Sequence, residues 1–85
     1  MITFNYAITD ELGIHTRPAG VLIREVKKYQ SAVIFSHGEK KAAGDKLFAI
    51  MKLGIKQGNI LGVTVEGVDE QEAAAAIKIT LETYL

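Results

Sequence analysis

The chain has 85 residues, enough for one small folding unit and too few for a second. Ten basic and ten acidic residues cancel, which argues against a general nucleic-acid binder, because such proteins carry a strong basic excess. There is no cysteine, so disulfides and thiolate metal sites are excluded and a reducing cytoplasm is the expected setting.

The opening stretch MITFNYAITDELG has neither the positive head nor the continuous apolar run of about 7–15 residues that a secretory signal needs. No run approaches the roughly 20 apolar residues of a membrane span. A soluble cytoplasmic protein, complete as it stands and not inserted in a membrane, is expected. Within the opening, ITFNYAIT alternates, with Ile2, Phe4, Tyr6 and Ile8 on one face, and predicts a half-buried strand. DELG then breaks the pattern.

A helix follows, with Ala19, Leu22, Ile23, Val26 and Tyr29 at helical spacing. Its start is at Thr16 or at Pro18. Proline suits a first turn because its missing N–H is unpaired there anyway, yet it pushes Arg17 away from helical angles. Val21 lies roughly 200° from Ala19 around the helix, on the wet face, where it is either incidental or part of a contact surface. SAVIFSHGEKKAA predicts a hairpin, with strands over Ala32–Ser36 and Lys40–Ala43 and His37–Gly38 near the turn.

DKLFAIMKLG predicts a short apolar helix ended by Gly54, and NILGVTVEG a further alternating strand around 60–66. The last helix opens on Asp69 as N-cap, with Glu72 three residues on as in a capping box. Its apolar stripe is Ala73, Ile77, Leu81 and Tyr84. The order β-α-β-β-α-β-α predicts an α+β fold, a two-layer sandwich in which an antiparallel four-stranded sheet carries its helices on one face and shows the other to solvent.

His15 stands just before the first turn of the first helix, where about four backbone N–H groups lack an intrahelical partner. Those groups and the helix dipole attract anions, phosphate above all. Gly13 permits a tight or left-handed backbone immediately upstream. The same positive field disfavours a protonated ring, and a neutral imidazole keeps a lone pair for nucleophilic attack. Arg17 adds a fixed charge whose fork fits phosphate oxygens. A cation in a first turn is slightly disfavoured by the dipole, so its presence there favours a functional role.

Asp10 and Glu11 flank this loop as ordinary surface charges with no assigned role. His37 reads as an exposed turn residue. Two histidines without a nearby carboxylate set make no metal site, and no G-x-S-x-G, P-loop or G-x-G-x-x-G pattern occurs. KLFAIMKLG admits two readings. One is a packed helix with some apolar residues left over. The other is an exposed patch of Leu47, Phe48 and Met51, extended by Gly20 and Val21 and rimmed by Arg24, Lys27 and Lys46, on which a larger protein docks.

These segments resemble a known family. GIHTRPAGVLIREVKKY is similar to the active-site segment and first helix of HPr, the histidine-containing phosphocarrier of the bacterial sugar phosphotransferase system. DKLFAIMKLGIKQG resembles its second-helix region, and VTVEGVDEQEAAAAI its last strand and helix. The similarity runs over essentially the whole chain. It implies one open-faced sandwich over residues 1–85 with sheet order 1-4-2-3.

The resemblance also implies a role. His15 would accept a phosphoryl group on Nδ1 from phospho-enzyme I and pass it to sugar-specific permease components, without independent turnover and without a cofactor. Arg17 would be the charge partner, the Thr16 and Arg17 amides would bind the phosphate, and Pro18 would start the helix. Gly20, Val21, Leu47, Phe48 and Met51 match docking positions. A monomer is expected.

One departure stands out. Gram-positive members, the type this chain resembles, usually carry a regulatory serine at the start of the second helix. Lys46 occupies that position, and no serine or threonine lies between Ser36 and Thr64. A cation there can neither take phosphate nor mimic phosphoserine. The alternative function is therefore an HPr-like regulator that binds an enzyme or transcription factor and does not support sugar transport. A small binding module with an incidental His15 is a third reading, disfavoured for nucleic acid by the neutral charge.

Overall fold

The computed structural model describes all of residues 1–85. The elements are β1 (Ile2–Ala7), α1 (Thr16–Val26), β2 (Ala32–His37), β3 (Lys40–Ala43), α2 (Leu47–Met51), β4 (Ile60–Glu66) and α3 (Glu70–Tyr84). The strands form one antiparallel sheet in the order β1-β4-β2-β3, the expected α+β architecture. β4 sits between β1 and β2, and its alternation puts Leu61, Val63 and Val65 wholly inside. The register carries that inner row across the sheet, with Phe4 opposite Val63, Val63 opposite Phe35, and Phe35 opposite Ala42. A fully buried side chain of this kind stabilises by about 1.5–3 kcal/mol.

The helices cover this one face. α1 buries Pro18, Ala19, Leu22 and Val26, and α3 buries Ala73, Ala74, Ile77, Thr80 and Leu81. α2 contributes Ile50, followed by Leu53 and Ile55 from the segment after it. The opposite face exposes Thr3, Asn5, Ala7, Ala32, Ile34 and Lys41. Lys40 and Lys41 lie on β3, an edge strand, where charge discourages further strand pairing. No helix is long and apolar enough to cross a membrane.

Five local expectations are settled or corrected. α1 begins at Thr16, with Pro18 as its third residue. Proline costs no hydrogen bond within the first turn, and Arg17 is helical despite the steric bias of the proline after it. α1 also ends at Val26, so Tyr29 lies beyond the helix, half-buried in the turn after it.

His37 is the last residue of β2 and not part of the turn. Its Nδ1 lies 2.9 Å from the Leu53 carbonyl oxygen, so the ring ties the hairpin to the segment behind α2.

Asp69 precedes α3 but caps nothing there. Its carboxylate accepts from the Gln30 N–H at 2.8 Å, from the Ser31 N–H at 2.9 Å and from the Ser31 hydroxyl. Three converging donors outcompete the helix amides. Glu70, not Glu72, reaches back, accepting from the Gly67 N–H at 3.2 Å.

Finally, Tyr84 is exposed and the α3 stripe continues into buried Leu85. The Leu85 carbonyl accepts from the Thr9 N–H, the Thr9 hydroxyl and the Asp10 N–H, which draws that residue inward.

Candidate functional site

The β1–α1 connection is built to present residue 15. Asp10 to Gly13 form a turn closed by the Gly13 N–H donating to the Asp10 carbonyl at 3.0 Å. Gly13 has φ +66°, and an added Cβ would meet the Ile55 carbonyl oxygen and sit 2.7 Å from Lys56 Cα. Only glycine fits this approach. Ile14 follows as an anchor, buried, with its N–H donating to the Ile55 carbonyl at 3.1 Å. The next residue is thereby fixed at the mouth of α1.

That residue is His15, the N-cap of α1, with extended backbone angles (φ −123°, ψ −178°) and no side-chain capping bond. Its carbonyl accepts from the Ala19 N–H at 3.1 Å, while its imidazole stays uncommitted to the helix. The side chain is 37% exposed, and Nε2 lies 3.5 Å from Asp10 Oδ2.

The Thr16 and Arg17 amides find no acceptor inside the protein, and Pro18 has no N–H to offer. No acidic residue stands in the first turn of α1, whereas α3 carries Glu70 and Glu72 in its own. Helix starts attract negative charge. α3 satisfies that demand internally, and α1 leaves it open. Arg17, exposed beside the free amides, adds a full positive charge.

An open groove at this point is lined by Leu12, His15, Thr16, Arg17, Gly20 and Arg24. It brings unpaired amides and two guanidinium groups together with a half-exposed imidazole at its edge. Of the expected docking residues, only Gly20 and Arg24 line this groove. Val21 is half-buried outside it and does not belong to the buried stripe of α1.

On α2, Phe48 is 77% exposed, whereas Leu47 and Met51 are half-buried and pack against the core. The helix is thus packed over most of its apolar surface, with the exposed share concentrated on one ring. Lys46 is exposed and immediately precedes α2. Lys27 caps the far end of α1 and lines a separate groove with Tyr29, Val33 and Asp45.

Two residues of the site have no role in the sequence reading. Leu12 is 73% exposed and forms the apolar lip of the groove. Asp10 faces the His15 ring. The signal for Asp10 was local: an acid five residues before a histidine, with a turn glycine between them.

Comparison with known proteins agrees with this arrangement. Residues 2–83 match the family described as PTS HPr component phosphorylation site. The chain is similar to phosphocarrier protein HPr of Mycoplasma capricolum, 35% identical over 81 residues, covering 95% of this chain and 91% of that one. It is also similar to phosphocarrier protein HPr of Haemophilus influenzae, 35% identical over 71 residues and 84% of each chain.

Among solved structures, HPr of Thermoanaerobacter tengcongensis superposes with a TM-score of 0.92 at 31% identity, covering 98% of this chain and 93% of that one. A Mycoplasma histidine-containing phosphocarrier protein gives 0.92 at 33% identity, covering 96% and 93%. The free helix start with its histidine thus sits in a scaffold shared along nearly the whole chain, and the protein belongs to the HPr family of phosphocarrier proteins of the phosphotransferase system.

Proposed function

We propose that the protein works in the cytoplasm as a carrier that takes a phosphoryl group from phospho-enzyme I on His15 and delivers it to sugar-specific permease components. The observation that carries this reading is the unneutralised start of α1: two free amides and Arg17 beside a half-exposed imidazole with no capping duty. Nδ1 of the ring attacks phosphorus. The Thr16 and Arg17 amides and the Arg17 guanidinium receive the phosphate oxygens, as charge-assisted donors do.

A carrier must not trap its cargo, so stabilisation should favour the transferring group over the resting phosphoprotein. An open groove serves this, because phosphorus stays accessible to the next acceptor. Phosphoenolpyruvate binding and metal chemistry belong to enzyme I, and the carrier performs no turnover of its own. The exposed Phe48 ring, with Leu47, Met51, Gly20 and Val21, forms the proposed docking surface. Arg24, Lys27 and Lys46 give it a basic rim suited to acidic partner surfaces.

Lys46 also removes the hydroxyl at which a kinase would act on α2, so regulation through that position is not part of the proposed function. A purely regulatory role finds less support, because a regulator has no need of a nucleophile at an open anion site.

The test is incubation with enzyme I and labelled phosphoenolpyruvate. Acid-labile label is expected on the wild type and absent from His15→Ala. Arg17→Ala should label about tenfold more slowly, the scale of one charged hydrogen bond. An unlabelled wild-type protein rejects the proposal.

A further inference from the structure

Asp10 is held in place from several sides. Its N–H donates to the Leu85 carbonyl and its own carbonyl accepts from the Gly13 N–H, each at 3.0 Å. Its Oδ2 accepts from the Leu12 N–H at 3.0 Å. That same oxygen lies 3.5 Å from His15 Nε2. With its main chain tied at both ends and its side chain tied to an amide two residues on, the carboxylate has little freedom to turn from the ring. An ionised carboxylate only accepts, so at 3.5 Å from Nε2 it favours the tautomer with its hydrogen on that nitrogen. In a neutral imidazole the lone pair is then on Nδ1.

We propose that Asp10 is a positioning residue for His15: its carboxylate keeps the ring hydrogen on Nε2 and so leaves Nδ1 as the nitrogen that accepts the phosphoryl group. This rests on the phosphocarrier reading above. In the accepting step the Nδ1 lone pair bonds to phosphorus while the donor's bond to phosphorus breaks and its electron pair departs with the donor. The ring becomes an Nδ1-phosphorylated imidazolium with its hydrogen still on Nε2 and its positive charge facing Asp10. In the delivering step the Nδ1–phosphorus bond breaks, its electron pair returns to Nδ1, and the neutral starting tautomer reappears. No proton has to move in either direction.

The other charged side chains lining the groove with the ring are Arg17 and Arg24 from α1. The cations oppose an imidazolium, and Asp10 is the carboxylate that lies against it. A separation of 3.5 Å is an electrostatic contact longer than a good hydrogen bond, and contacts in unloaded catalytic sites commonly tighten when the reacting group is present.

The experiment is ring-nitrogen NMR of wild type, Asp10→Asn and Asp10→Ala, with phosphorylation both by phosphoramidate and by phospho-enzyme I. The wild type should hold one Nε2–H tautomer, and Asp10→Ala should show a mixture. Asp10→Asn, which keeps an acceptor oxygen, should retain the tautomer without the charge. Onward transfer should slow about two- to fivefold in both variants, the scale of one half-exposed ion pair.

Wild-type ring shifts in Asp10→Ala overturn the proposal, including the case in which transfer slows and only the amides of residues 11–14 move, the mark of a purely loop-structural residue. A wild type that accepts phosphate from phosphoramidate but not from enzyme I retires the carrier reading, while the ring measurement still decides the part played by Asp10.

Discussion

Gly13→Ala is expected to be among the most damaging single-methyl additions in this chain, and its size follows from two separate effects. The residue has φ +66°, and an L side chain in that conformation costs roughly 1–2 kcal/mol. The new Cβ also runs into the Ile55 carbonyl oxygen and Lys56 Cα. Both are backbone atoms, so no side-chain rotation relieves the overlap. The segment around residue 55 must move, which breaks the bond from the Ile14 N–H to the Ile55 carbonyl. Ile14 and Ile55 are buried, and leaving such groups unpaired costs about 1–3 kcal/mol.

Alanine stiffens the unfolded chain and returns about 0.4–1 kcal/mol, for a net loss of about 3 kcal/mol. Domains of this length have roughly 4–13 kcal/mol in total, so the loss is a large share. Gly54→Ala is the control. It has φ +65° but open space around it, so after the same unfolded-chain gain it should lose only about 1 kcal/mol.

Urea unfolding followed by circular dichroism measures both variants. In thermal melts, Gly13→Ala should fall by about 12–24 °C, at roughly 4–8 °C per kcal/mol for a domain of this size. Equal losses in the two variants would refute the claim that close approach to Ile55 sets this turn. Because the turn delivers His15, Gly13→Ala should also label more slowly at temperatures where it remains folded.

The acid sensitivity of the fold should depend on Asp69. The Ser31 hydroxyl, then the Gln30 amide, hold its carboxyl below the ordinary value of 3.8. A depressed folded value means that the stabilisation is complete above the unfolded value and disappears as pH falls through the folded one. Urea midpoints should therefore decline as pH falls below the ordinary carboxyl range, and Asp69→Asn should flatten that decline while lowering stability at neutral pH; an unchanged profile would count against it. Phe48→Ala should leave stability within about 0.5 kcal/mol, since the ring is exposed, yet weaken enzyme I binding roughly fivefold or more if the ring anchors docking. Unaltered affinity, measured by titration calorimetry, would remove Phe48 from the proposed interface.

Sequence alone determined the features whose cause lies within a few residues. The alternation of Ile2, Phe4 and Tyr6, and of Leu61, Val63 and Val65, specified inward-facing strands because the β repeat is two residues whatever the partner. The run from Gly13 to Ala19 specified a histidine at a helix mouth because turn glycine, first-turn proline and apolar stripe are all local signals. Tertiary structure decided wherever a distant group competed. Asp69 abandoned its own helix because Gln30 and Ser31, 39 and 38 residues away, offered three donors. His37 left the turn because the Leu53 carbonyl, 16 residues on, lay within reach of its ring. Phe48, and not Leu47 or Met51, became the exposed apolar ring because α2 has only enough turns to bury one side against the core. Asp10 acquired a partner only once the Gly13 turn folded its carboxylate back toward His15. Hydrogen-bond partners and burial depend on which surfaces meet, and that is a property of the assembled layers, not of any one segment.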